Sequence, residues 1–199
     1  MADLLVLYYS QTGATAEMAR HACQGVDAVE GARAILRTVP PVASAWDDVS
    51  AEADSSAPYA FVEELERCDG LLLGSPTRFG NMAAPLKHFL DGTSSAWLSG
   101  SLSGKPAGVF TATGSLHGGQ ESTLLTMMLP LLHHGMYIVG LPYTEPRLAK
   151  TRSGGTPYGP SHYAGIANNQ PVTSEEAALC VALGRRVAEL AVELRGPSA

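Results

Sequence analysis

Leu4-Leu5-Val6-Leu7-Tyr8-Tyr9-Ser10-Gln11-Thr12-Gly13-Ala14-Thr15 is the stretch on which the fold turns. Its six leading apolar and aromatic residues suit a parallel strand covered on both faces, and the hydroxyl-bearing run after them leads into a helix beginning near Thr15. A buried strand passing straight into a helix start presents unpaired N–H groups and a partial positive charge, to which Ser10, Thr12 and Thr15 add neutral donors. That corner fits a phosphate monoester. It fits equally an ordinary βα turn in which Thr12 or Thr15 caps the helix, and the loop alone leaves both readings open.

Working outward, short apolar runs alternate with helix-length amphipathic stretches along the whole chain, the pattern of an α/β fold with a parallel sheet. Leu71 to Leu73, Val109 to Thr113 and Met136 to Leu141 read as further central strands. Arg33-Ala34-Ile35-Leu36-Arg37 reads as strand two at a sheet edge, where basic stems reach water. Pro85 suits the first turn of a helix, whereas Pro130 predicts a kink or an irregular end before His133-His134-Gly135. Thr173-Ser174-Glu175-Glu176 is a capping-box pattern opening a last helix with an apolar stripe from Leu179 to Leu194. Residues 40–57 and 144–172, rich in Pro, Ser, Gly and Ala, read as long functional or assembly loops within a single domain spanning residues 1–199.

Composition narrows the function. A net charge of −6 without a basic run argues against nucleic acid as a ligand. The amino terminus lacks a basic leader, and its apolar run is too short to span a bilayer, so a cytoplasmic protein without membrane insertion is expected. Three cysteines without CxxC spacing read as core packing, and six histidines without a ligand pattern predict no metal. No GxxxxGK[ST] loop and no GxGxxG follow a strand, which excludes a P-loop nucleoside-triphosphatase and disfavours a dinucleotide Rossmann site. The ends of strands one and three carry Ser10 and Gly74-Ser75, where a phosphoacceptor receiver domain needs acids.

Ser75-Pro76-Thr77-Arg78-Phe79-Gly80-Asn81-Met82, Trp97, Thr113-Gly114 with Gly118-Gly119-Gln120-Glu121, His133-His134-Gly135-Met136 and Gly154-Gly155-Thr156-Pro157-Tyr158-Gly159 resemble the WrbA-type NAD(P)H:quinone oxidoreductases. The resemblance covers nearly the whole chain. It implies a flavodoxin-like three-layer sandwich with a five-stranded parallel sheet of order 2-1-3-4-5, FMN without a metal, and a homotetramer. Carried over by position, Ser10, Gly13, Ala14 and Thr15 take the FMN phosphate and Thr12 is a further cofactor contact, while Pro76, Thr77, Arg78, Phe79, Gly80, Asn81, Ala112, Thr113, Gly114, Ser115, His117 and Gly118 surround the ring. His133 matches a histidine near the flavin pyrimidine; Trp97 and Thr12 match contacts to quinone and nicotinamide.

In an open parallel sheet the ligand crevice lies beyond the strand ends where the chain order reverses, here after strands one and three. Both of the best motifs fall there, independently of any family. Arg78, His133 and N–H groups near Gly80 and Gly114 supply positive potential for a reduced flavin, so Arg78 and His133 are the candidate catalytic supports. As bland alternatives, Arg78 is a solvent-facing loop charge, His133 a helix-terminal histidine and Trp97 an interface residue. The expected function is two-electron reduction of quinones by NAD(P)H through a ping-pong mechanism, both substrates sharing one flavin face. Its rivals are a one-electron flavodoxin-type carrier and a regulatory FMN-binding module.

Overall fold

A computed structural model of the chain describes residues 1–42 and 57–195. The elements are β1 (Ala2–Tyr8), α1 (Ala14–Asp27), β2 (Ala32–Thr38), α2 (Val62–Arg67), β3 (Gly70–Arg78), β4 (Asn81–Met82), α3 (Ala84–Asp91), α4 (Ser94–Ser99), β5 (Pro106–Thr113), α5 (Gln120–His133), β6 (Tyr137–Ile138), α6 (Pro146–Lys150), β7 (Ser161–Tyr163) and α7 (Ser174–Arg195). The sheet runs β2-β1-β3-β5-β6, every neighbouring pair parallel. This is the expected flavodoxin-like order, with β5 and β6 as the fourth and fifth core strands.

Strand alternation builds the two flanking layers. Leu4, Val6 and Tyr8 of β1, Leu72 of β3 and Phe110 of β5 face α1 and α7 in one buried cluster. Leu5, Leu7, Leu71, Leu73 and Val109 face a second cluster formed with Leu65 of α2, Leu86 and Leu90 of α3 and Leu124, Met127 and Leu131 of α5. Both faces of each central strand are therefore apolar, which is why those runs are continuous in the sequence. At the edge, Arg33 pairs with Asp3 at 2.8 Å and Arg37 with Glu64 at 2.6 Å, so the two basic stems find partners as well as water.

The fifth strand differs from expectation. Met136 to Leu141 reads as one strand, but only Tyr137 and Ile138 pair, alongside Pro106 and Ala107 at the start of β5. The chain leaves the sheet after Val139, whose N–H donates to Ala107 C=O at 2.7 Å, and returns at Pro160, whose C=O accepts from Thr111 N–H at 3.1 Å. β7 then completes the edge against Thr111 to Thr113. The fifth position is thus one strand interrupted by an insertion, and the 144–172 segment, read as loop, contains α6 and β7. The other long loop expected, 40–57, lies outside the described residues from 43 to 56.

Helix ends follow the local chemistry. α5 runs through Pro130 and reaches His133, so the irregular end expected before that residue is not seen. The capping box opening α7 is reciprocal: Glu176 N–H donates to Thr173 Oγ1 at 3.2 Å, and Thr173 N–H donates to a Glu176 carboxylate oxygen at 2.9 Å. Cys68 and Cys180 are buried and Cys23 partly so; burial pushes Cys23 up to about 12 and Cys68 up to about 11, which keeps these thiols protonated and inert.

Candidate functional site

β1 and β3 end side by side where the chain order reverses, and three loops converge beyond them. Gln11, Thr12, Ala14, Thr15, Pro76, Thr77, Arg78, Ala112, Thr113, Gly114, Ala164 and Asn168 line one crevice. Nine residues expected from the sequence are thereby brought together, from three separate loops. Gln11, Ala164 and Asn168 were not anticipated.

The crevice floor is the start of α1. Gly13 occupies the N-cap with φ 95°, a left-handed conformation that glycine adopts without strain, and no side chain caps the helix. The alternative of a turn capped by Thr12 or Thr15 is therefore not realised. Ser10, nearly buried, accepts from Gly13 N–H at 3.1 Å and holds the loop closed. The first helix-type bond runs from Glu17 N–H to Gly13 C=O at 2.9 Å, so the preceding N–H groups of α1 point past the helix start. α5 begins alike, on Gly119 with φ 98° and no side-chain cap. No carboxylate lines the crevice among the described residues, and Arg78 is its one cation.

A hairpin forms the mouth. Thr77 and Arg78 pair antiparallel with Met82 and Asn81, and the two turn residues, Phe79 and Gly80, have φ 53° and 75°. Positive φ at both central positions marks a type I′ turn. Phe79 sits fully exposed in that conformation at a cost of about 1–3 kcal/mol, and strain of this kind persists where surroundings over-determine it. Here α5 does so: Thr77 Oγ1 and Thr123 Oγ1 are 2.6 Å apart, and Thr126 Oγ1 donates to Gly80 C=O at 2.9 Å. Arg78 donates to Thr77 C=O at 2.7 Å and to the Gln11 side chain, bridging the first loop to the hairpin. The 115–118 turn is closed by Gly118 N–H to Ser115 C=O at 3.1 Å, with His117 exposed beside it.

His133 and Trp97 lie elsewhere within the chain. Both border a groove of about 330 Å³ formed by α3, α4 and the end of α5. Since α5 has 14 residues, at about 1.5 Å each His133 is about 20 Å from the crevice end of that helix. Flanking residue types carry no sign of this separation. His134 ties α5 to the start of α4 through Thr93 Oγ1 at 3.0 Å; burial, then the neighbouring His133, lowers its pKa and favours the neutral ring.

An uncapped helix start at the switch point of a parallel sheet, a hydroxyl-rich first loop and a hairpin ledge define a flavodoxin-like protein. Residues 4–144 match the family model described as NADPH-dependent FMN reductase, and the chain belongs to that family. It is 42% identical over 98% of its length to the complete NAD(P)H dehydrogenase (quinone) of Geobacter sulfurreducens. Identity to the protein of the same name from Solidesulfovibrio magneticus is 40%, over 97% of this chain and 99% of that one. Among solved structures, a flavodoxin, WrbA-like protein from Agrobacterium tumefaciens superposes with TM-score 0.70 at 23% identity, covering 97% of this chain and 99% of that one. Flavodoxin 1 from Bacillus cereus gives 0.60 at 18% identity, covering 99% and 100%.

The residues present fit FMN. The uncapped N–H groups of α1 with Thr12 and Thr15 suit its phosphate, while Ser10 lies buried behind the loop it closes, and the wall from Pro76 to Arg78 beside Ala112 to Gly114 suits a flat ring. Among the described residues no group of three His, Cys, Asp or Glu side chains is placed to hold a metal ion, and no helix is long and apolar enough to cross a membrane.

Proposed function

We propose that this chain is an FMN-dependent NAD(P)H:quinone oxidoreductase working by a ping-pong mechanism. The observation that carries the reading is the carboxylate-free crevice over the uncapped start of α1. Full-length likeness at 40–42% identity to proteins named for that activity supports it.

Bound FMN supplies the acceptor and donor of the hydride that passes from NAD(P)H to the quinone. The chain's residues position it and shape its surroundings. Ser10, Gly13, Ala14 and Thr15 hold the phosphate, and Pro76 to Asn81 and Ala112 to Gly118 hold the ring. Arg78, fixed by Gln11 and Thr77, keeps a cation beside the ring where negative charge accumulates on reduction, which favours two-electron chemistry. Nicotinamide and quinone use the same open face, so one leaves before the other enters.

His133 and Trp97 act on the flavin of another copy in a homotetramer. Their distance from the crevice of their own chain supports this, as do the exposed apolar stripe Leu125, Leu129 and Leu132 along α5 and the exposed Trp97 in the groove at the end of that helix. Steady-state rates with NADH and benzoquinone, without an added reductase, test the activity: parallel double-reciprocal lines are expected, and absence of turnover would sink the proposal. For Trp97→Ala, the quinone KM rises about tenfold with FMN affinity unchanged, the loss expected of one aromatic stacking surface. An unchanged KM would remove Trp97 from the substrate site. Sedimentation of the wild type should give four copies; a monomer would separate His133 and Trp97 from any flavin.

A further inference from the structure

Glu176 does more than cap α7. Its carboxylate is fully buried and accepts four hydrogen bonds from three segments: Thr173 N–H at 2.9 Å, Gly154 N–H at 2.8 Å, Tyr163 N–H at 3.1 Å and His162 Nδ1 at 2.8 Å. A capping box accounts for the first alone. The other three tie the insertion's return and β7 to the helix.

β7 carries part of the crevice wall. Ala164, the residue after it, donates to Thr113 C=O at 2.8 Å, and Ala164 and Asn168 line the crevice beside Ala112 to Gly114. On the opposite face, Ser161 Oγ donates to Gln120 Oε1, and Gln120 Nε2 donates to Leu116 C=O at 3.0 Å in the turn expected to face the ring. The strand is therefore held from both sides, by an amide at the start of α5 and by a carboxylate at the start of α7.

We infer that Glu176, acting through His162 and the backbone of β7, is a positioning residue that sets the Ala164 to Asn168 wall of the flavin crevice. This rests on reading that crevice as the flavin site. The carboxylate is an acceptor only, so His162 carries its ring proton on Nδ1; its Nε2 is buried without a partner among the described residues. Burial would raise the Glu176 carboxyl, but bonds from His162, Thr173 and Tyr163 outweigh it and bring it down to about 2, so the group stays ionised.

Two substitutions test the assignment. Glu176→Ala removes all four acceptor contacts. Glu176→Gln keeps one oxygen for Gly154 and Tyr163 but turns an NH2 toward Thr173 N–H and His162; the imidazole adapts by moving its proton to Nε2, whereas the backbone N–H has no such freedom. Amide hydrogen exchange across 161–170 should quicken in both, and FMN Kd should rise about tenfold in Glu176→Ala and by less in Glu176→Gln, the scale of a buried hydrogen-bond partner lost. Val187→Ala, buried three turns along the same helix, lowers Tm but leaves FMN Kd within about twofold, which separates positioning from general loss of stability. If Glu176→Ala does not fold, Glu176→Gln carries the test. A folded variant with wild-type FMN Kd overturns the inference, whatever its exchange. Wild type that takes up no FMN overturns instead the flavin reading on which it rests.

Discussion

Thr12→Glu is expected to weaken FMN binding about a hundredfold while leaving riboflavin binding nearly unchanged, because a fixed negative charge placed against a phosphate dianion in a partly enclosed site costs about 2.7 kcal/mol. Thr12 is exposed and lines the crevice beside the uncapped start of α1, so the new carboxylate lies against the proposed phosphate site. The fold should tolerate it. An acid near a helix amino terminus interacts favourably with the macrodipole, and the apo protein should melt at or slightly above the wild-type temperature. Titrating both flavins by fluorescence quenching separates phosphate from ring. Equal loss for FMN and riboflavin would mean that this corner holds the ring instead, and unchanged FMN affinity would remove the phosphate from the loop.

The corner was legible in the sequence because a single continuous stretch encodes it. Leu4 to Tyr9 suits a strand buried on both sides, which the structure places at Ala2–Tyr8, and the glycine and hydroxyls beyond it suit a tight, uncharged turn. What the sequence left open was whether a side chain caps α1, since Thr12 and Thr15 are both competent caps; backbone placement of Gly13 decides that. The interrupted fifth strand was not legible, because a two-residue strand has no period to detect and its continuation lies beyond the insertion. Ala164 and Asn168 were missed for the same reason. Glu176 was read as a capping residue, which it is, but its bonds to Gly154, His162 and Tyr163 span up to 22 positions of sequence and leave no local signature. The positions of Trp97 and His133 relative to the crevice follow from the length of α5 and the docking of α4, not from their flanking residues.

Gly184→Val should destabilise the protein by about 3 kcal/mol or more and carry FMN binding down with it, since overpacking where backbone is the obstacle cannot be relieved by a rotamer change. α1 and α7 approach through two glycines. A Cβ at Gly184 would lie 2.1 Å from Ala22 C=O, and one at Gly25 would lie 2.1 Å from Val181 C=O. Relief requires the helices to part. α1 carries the proposed phosphate corner at its start, so its displacement from α7 moves the first loop relative to the hairpin and breaks the Arg78 to Gln11 bridge. Urea unfolding of the apo protein measures the first effect, and flavin titration of whatever remains folded measures the second. A wild-type midpoint for Gly184→Val would mean that the two helices do not pack as closely as described, and the link from core to crevice would be lost.

Colour tests most directly whether the crevice holds a flavin that exchanges hydride with both substrates. Wild-type protein incubated with FMN and freed of excess by gel filtration should elute yellow, bleach on anaerobic addition of one equivalent of NADH or NADPH, and regain its colour on one equivalent of benzoquinone. A colourless protein, or one whose bound flavin stays yellow with both nicotinamides, would contradict the proposed activity.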